Sequence, residues 1–229
     1  MSPIFDRLRR KGEDQPGAGA PPPQGKEGLA PGQFWGRKFV IYAASGIPKV
    51  DVSKWTLRVT GLVENPLRYT YEEFNRLPMK NEIHSAQCVT KWSIENPLWE
   101  GVSIKMLADA AKVKPEATWV MFHCLDGYTA PVPLEDALRE DSIVALRMNG
   151  KPLLPEQGFP ARPFLPDLYL WKSAKWLDEI EFISEYRDGY WEMYGYHERG
   201  NIWAEERFKG DGNYKPVPRR AFGTAPGKT

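Results

Sequence analysis

Two cysteines, Cys88 and Cys124, stand among 229 residues, and three histidines accompany them. Cys88 ends the apolar-polar run Ile83-His84-Ser85-Ala86-Gln87, a place where a thiol serves either as a small buried hydrophobe or as a soft metal ligand. His84, Cys88, His123 and Cys124 are all permitted zinc ligands. Adjacent residues on a strand point to opposite faces, so His123 and Cys124 cannot readily share one ion. His84, Cys88 and one of His123 or Cys124 remain, enough for a hydrolytic zinc site. A Cys88–Cys124 disulfide would consume the ligand, so pairing and ligation exclude each other. Further on, residues 152–163 carry four prolines, which argue against regular structure, and a long loop inside a compact domain is usually functional. Behind it comes Trp171-Lys172-Ser173-Ala174-Lys175-Trp176, whose lysines, taken alone, suit a solvated charged turn.

The pattern Cys88-Val89-x-x-Trp92-Ser93, followed by Gly101-Val102-Ser103, resembles the metal-binding segment of the sulfite oxidase family of molybdenum enzymes. Within that family it is most similar to the soluble sulfite oxidase-like proteins and to the branch holding the catalytic subunit of methionine sulfoxide reductase. The similarity runs from about Val50 to about Phe208. It implies that the Cys88 thiolate joins the two dithiolene sulfurs of molybdopterin and terminal oxygens around molybdenum, with no nucleotide on the pterin. It implies oxygen-atom transfer to or from a small substrate, a sulfoxide or a sulfite-like anion. Gly158-Phe159-Pro160-Ala161-Arg162 resembles the family's Gly-x-Pro-x-Arg loop, and Ser173-Ala174-Lys175 the tripeptide wrapped round the cofactor. Planar Arg162 suits bidentate phosphate contact and Lys175 a point contact. Gln157 stands where relatives place Asn or His, and Cys124 where the reductase branch has a cofactor-contacting Thr. Sulfite oxidases carry an arginine pair after the metal cysteine; Trp92 and Ser93 occupy those positions here. Trp92 beside the metal favours a neutral or larger substrate, whereas Lys91 leaves a small anion possible. Residues 189–200 resemble a tail loop of soluble relatives.

The elements around these residues follow from local pattern. Residues 55–63 alternate as a half-buried strand ended by Asn65-Pro66. Thr70 with Glu73 forms a capping box for a helix to about Leu77, and Ser103 caps an amphipathic helix through Ile104, Leu107, Ala108 and Ala111. Strands are expected at 83–89, 118–124, 128–132, 142–147 and 180–183, with a short helix at 134–138 and a hairpin turn at Asn149-Gly150. Short strands interleaved with short helices predict an α+β domain with a mixed, partly barrel-like sheet. That is also what the sulfite oxidase-type molybdopterin-binding fold implies.

With 41% hydrophobic residues the chain supports one large domain. Its boundaries are expected at 34 and 208, after a flexible Gly/Pro-rich leader (1–33) and before a polar tail (209–229). The formal net charge of +1 gives no global attraction to nucleic acid or to an anionic membrane. No apolar run reaches the roughly 18 residues of a membrane helix. Arg9-Arg10-Lys11 would suit a twin-arginine export signal, but polar Gly12-Glu13-Asp14-Gln15-Pro16 follows where an apolar stretch belongs. Together with sparse cysteines this predicts cytoplasmic residence. No haem-attachment Cys-x-x-Cys-His occurs, so electrons are expected from a separate haem or flavin protein. A non-catalytic binding module would instead display the nine tryptophans on its surface.

Overall fold

The computed structural model describes residues 28–43 and 46–210. In chain order the strands are β1 (Phe34–Trp35), β2 (Thr56–Gly61), β3 (Leu67–Thr70), β4 (Met79–Ile83), β5 (Ala86–Gln87), β6 (Trp92–Ile94), β7 (Leu98–Ser103), β8 (Trp119–Cys124), β9 (Thr129–Pro133), β10 (Ile143–Met148), β11 (Lys151–Pro152), β12 (Arg162–Phe164) and β13 (Leu177–Ile183). Among the described residues, α1 (Tyr71–Asn75), α2 (Ile104–Ala111) and α3 (Leu134–Ala137) are the α-helices.

One five-stranded sheet has the order β3-β2-β13-β8-β9, and a second has β11-β10-β7-β4 with β12 also on β10. A small third sheet has the order β1-β6-β5. β13 runs parallel to β2 and antiparallel to β8, which makes the first sheet mixed, as expected. Both large sheets are open. Alternation builds the main core: Leu57 and Val59, Val120 and Phe122, and Ile180 and Phe182 are buried two residues apart on neighbouring strands, and Leu107 and Ala111 of α2 pack with them. A second cluster surrounds Trp99, which stacks on Phe164 with centroids 4.2 Å apart. Gly101 is needed there, because a Cβ would meet the Val144 carbonyl oxygen at 2.1 Å across β7 and β10. Trp55, Trp92, Trp99, Trp171 and Trp176 are all buried, so the tryptophans serve mainly as core and not as a display surface.

The local patterns recur in the structure. The Glu73 N–H donates to Thr70 Oγ1 (3.3 Å) and the Thr70 N–H to Glu73 Oε2 (2.8 Å), completing the capping box of α1. The Met106 N–H donates to Ser103 Oγ at 3.3 Å, capping α2. Two expectations need correction. The strand expected over 83–89 is broken: β4 ends at Ile83, β5 spans only Ala86–Gln87, and Cys88 enters a turn, because the chain leaves one sheet there to pair in another. The proline-rich loop carries a 3-10 turn (Pro155–Gln157) and then β12. β12 pairs only with β10, an edge position that tolerates the missing N–H of Pro163.

Part of the expected leader belongs to the domain. Ala30 is buried and its N–H donates to Gln87 Oε1 at 3.1 Å, so residues 28–33 pack against β5. Residues 1–27 and 211–229 lie outside the described residues. No helix among the described residues is long and apolar enough to cross a membrane.

Candidate functional site

Cys88 sits in a four-residue turn between β5 and β6. The Lys91 N–H donates to the Cys88 carbonyl (2.9 Å) and the Cys88 N–H to the Trp92 carbonyl (3.0 Å), with Lys91 at φ 77° closing the turn. The half-buried thiol accepts a hydrogen bond from Thr90 Oγ1 at 3.2 Å. Burial pushes the thiol's pKa up, opposed by the Thr90 hydrogen bond and the Arg207 charge. The sulfur therefore sits where a proton is held until something cationic replaces it.

Arg162 opens β12 and is buried. Its Nη1 donates to the Gln157 carbonyl (2.9 Å) and its Nη2 to the Ser173 carbonyl (2.6 Å), while its Nε has no partner among the described residues. Burial lowers its pKa to about 10, which leaves it charged at neutral pH. The Lys175 ammonium donates to the Tyr42 and Glu156 carbonyls and lies 4.6 Å from the Trp176 ring centroid. Desolvation first, then the Arg162 charge, lowers it to about 8. Neither cation has a carboxylate ion-pair partner among the described residues. Gly158 lets the two loops approach: its φ is 107° and a Cβ would sit 3.0 Å from Lys175 Cβ. The Trp176 indole N–H donates to the Pro155 carbonyl at 2.8 Å, closing the same junction.

One cavity of about 220 Å³ is lined by Cys88, Trp92, Gln157, Arg162, Ser173, Ala174 and Lys175 together. Seven of the expected site residues, drawn from three separate stretches of sequence, thus meet at one place. Gln157 offers the cavity only part of its amide, since its Oε1 accepts the Leu154 N–H at 2.8 Å. Two expected residues stand elsewhere. Cys124 is buried in the main core and is not a cavity-lining residue; burial pushes its thiol well up. Lys91 shapes the turn through its backbone and is likewise not among the lining residues.

Zinc ligation does not fit. His123 faces away from Cys124 and bonds Glu181 Oε2 at 2.9 Å, and His84 lies 3.6 Å from Glu82. No group of three or more His, Cys, Asp or Glu among the described residues could hold a metal ion. Lys172, which taken alone suits a solvated turn, is fully buried: its ammonium pairs with Glu192 Oε1 at 2.6 Å and donates to the Pro131 carbonyl at 2.7 Å.

The cavity also has walls that sequence reasoning missed. Residues 39–43 line it, as do Tyr128, Trp191 and Tyr196, with the Tyr42 and Trp191 ring centroids 5.6 Å apart. The Thr90 hydroxyl had a local signal, because Ser and Thr side chains bond groups two residues away. The rest arise from tertiary packing; the only hint was the aromatic density of residues 189–200.

The model for the oxidoreductase molybdopterin binding domain matches residues 44–191. This chain belongs to that family. The uncharacterized oxidoreductase YuiH of Bacillus subtilis is 43% identical over 187 residues, spanning 80% of this chain and 93% of that protein. The protein-methionine-sulfoxide reductase catalytic subunit MsrP of Campylobacter jejuni is 29% identical over 205 residues, spanning 76% of this chain and 69% of that protein. The sulfane dehydrogenase SoxCD of Paracoccus pantotrophus shares the fold, with a TM-score of 0.58 at 23% identity. That likeness covers 66% of this chain and 43% of the SoxCD chain. The protein is a molybdopterin-binding oxidoreductase whose cofactor is molybdenum with molybdopterin.

The cavity fits such a group. A buried guanidinium and a neighbouring ammonium, both bonded only to neutral carbonyls, lack the negative charge that a pterin phosphate carries, and an uncompensated buried cation is costly. A thiol on the same cavity wall offers the soft ligand that molybdenum takes.

Proposed function

We propose that this oxidoreductase transfers an oxygen atom from a neutral sulfoxide, with Cys88 as molybdenum ligand and with Arg162 and Lys175 holding the pterin phosphate. The observation that carries this is the convergence of Cys88, Arg162 and Lys175 on one cavity. Bound molybdopterin supplies the metal that changes oxidation state by two electrons as it takes or releases an oxygen atom. The chain supplies the rest. Thr90 Oγ1 donates to the sulfur and orients it. Arg162, whose Nη groups are steered by the Gln157 and Ser173 carbonyls, and Lys175 fix the phosphate. Gln157 offers its amide nitrogen, and Ser173 and Ala174 wall the group in.

Trp92, Trp171, Trp191 and Tyr196 give the cavity an apolar lining that excludes water and favours an uncharged substrate over sulfite. Lys91, outside that lining, offers a small anion little. Reduction of a sulfoxide consumes two electrons and two protons and releases thioether and water. The electrons come from a separate haem or flavin protein, in keeping with the designation "catalytic subunit" of the Campylobacter relative. We place this in the cytoplasm, on the polar residues that follow Arg9 and Arg10.

The test is a pair of variants measured for pterin content, visible spectrum and turnover with sulfoxide and sulfite. Cys88→Ala is expected to keep much of its pterin while losing the thiolate-to-molybdenum absorption and nearly all turnover. Cys124→Ala, altered only in the core, should keep both. A Cys88→Ala protein with an unaltered spectrum and normal turnover refutes the ligand assignment.

A further inference from the structure

The turn that carries Cys88 is held by side chains from outside the segment that defines the family. That segment ends at residues 44 and 191, whereas Gln33 precedes it and Arg207 follows it. Gln33 Nε2 donates to the Cys88 carbonyl at 3.1 Å, and its Oε1 accepts from Ser93 Oγ at 3.1 Å, so one amide bridges both limbs of the turn. Arg207 Nη1 donates to the Val89 carbonyl at 2.6 Å, and Nη2 donates to the Pro31 carbonyl at 3.2 Å. The Arg207 guanidinium lies 4.7 Å from the Tyr169 ring centroid, and its side chain is only 11% exposed. Backbone bonds add to the grip: the Phe34 N–H donates to the Lys91 carbonyl (2.8 Å) and the Gly36 N–H to the Ser93 carbonyl (2.7 Å).

The first two carbonyls of the Cys88 turn are therefore each fixed by a side chain more than 50 residues away in sequence, at separations of 55 and 118. A sulfur on a two-residue stretch of backbone inherits whatever play that backbone has, because χ1 of the cysteine is its only other freedom. Partners beyond the ligand itself commonly set ligand orientation in metal sites.

We propose that Gln33 and Arg207 are positioning residues for the molybdenum ligand, fixing the Cys88 backbone so that its sulfur holds one orientation toward the metal. This rests on Cys88 being that ligand. It also gives the residues flanking the family segment a part in the reaction centre.

The experiment uses the holoenzyme. Gln33→Met and Arg207→Met remove the donors while keeping much of the side-chain volume, and Arg207→Lys keeps a charge and a donor in another geometry. Each is measured for molybdenum and pterin per chain, melting temperature and the thiolate-to-molybdenum absorption band, with Cys88→Ala alongside. At wild-type molybdenum content, both Met variants are expected to show a displaced, broadened band, with Arg207→Lys between Arg207→Met and wild type. A merely structural role would lower the melting temperature and leave the band where it was. Superimposable bands in both Met variants overturn the proposal, and if one of them does not fold, an unshifted band in Arg207→Lys and the other variant does the same. A band that survives in Cys88→Ala instead sinks the underlying ligand assignment, so the two failures are distinct.

Discussion

Arg162 is a buried cation whose resolved partners are two carbonyl oxygens, and that imbalance sets what its removal should do. If the balancing anion is the pterin phosphate, Arg162→Ala or Lys175→Ala each deletes a charge-assisted contact worth about 1.5–3 kcal/mol. Molybdenum and pterin retained after dialysis should then drop in both variants; full retention in both would falsify the phosphate role. Lys175 adds a pH dependence. With its pKa lowered to about 8, it is charged below that pH and loses the charge above it. A phosphate is already doubly ionised there, its second pKa lying near 6. Affinity of the cofactor-free protein for a phosphate monoester should therefore be steady between about pH 7 and 8, where the ester is doubly ionised, and fall above it, by at most about tenfold per pH unit. Calorimetric titration with a phosphate monoester checks the direction, and Lys175→Arg, which stays charged, should flatten the fall. The residue types at these positions were readable from the chain. For Cys124 a buried packing thiol and a cofactor contact were both open, and the structure takes the first; the buried pair of Lys172 was not readable, since it depends on which loops fold over it.

At the scale of elements, legibility tracked locality. The capping box at Thr70 and Glu73, the cap at Ser103 and the turn at Asn149-Gly150 are written in three or four consecutive residues, and each appears where expected. The strand at 118–124 was equally plain, because its β-branched, aromatic and apolar residues mark a buried strand and most of them are buried. The break between β4 and β5 was hidden, since it reflects a change of sheet and no punctuating Gly or Pro marks it. β12 was hidden by Pro163 and by the prolines that precede it. The capping box gives a clean test of the local part: Thr70→Ala removes the acceptor for the Glu73 N–H on an exposed turn that does not line the cavity. A loss of about 0.5–2 kcal/mol in urea unfolding, with cofactor content unchanged, is expected. No measurable loss would mean that packing of Phe74 alone sustains the helix.

At the scale of the whole molecule, the family segment is closed by chain on both sides of it. Residues 28–36 brace the small sheet, and residues 196–209 return over the cavity side, where Tyr196 meets Trp171 and Trp191. One link that ties the chain just before this return to the cofactor loop is the pair Lys172–Glu192, with both side chains fully buried. Glu192 Oε1 also accepts the Trp171 indole N–H at 2.9 Å, and the Lys172 ammonium donates to the Glu198 carbonyl. Burial lowers the pKa of Lys172, and the Glu192 charge opposes it. Such a pair adds little stability over a well-packed apolar replacement, because desolvating two charges offsets most of their attraction. Losing one partner is different, since the other is left as a buried, unbalanced charge. Glu192→Met and Lys172→Met should each cost roughly 3–5 kcal/mol. The double variant Lys172→Met, Glu192→Met should cost less than the sum of the singles, because no charge is stranded. Urea midpoints for the four proteins of this cycle provide the measurement. Strictly additive losses would show that the two side chains act independently and that the tail is held to the cofactor loop by its aromatic contacts instead.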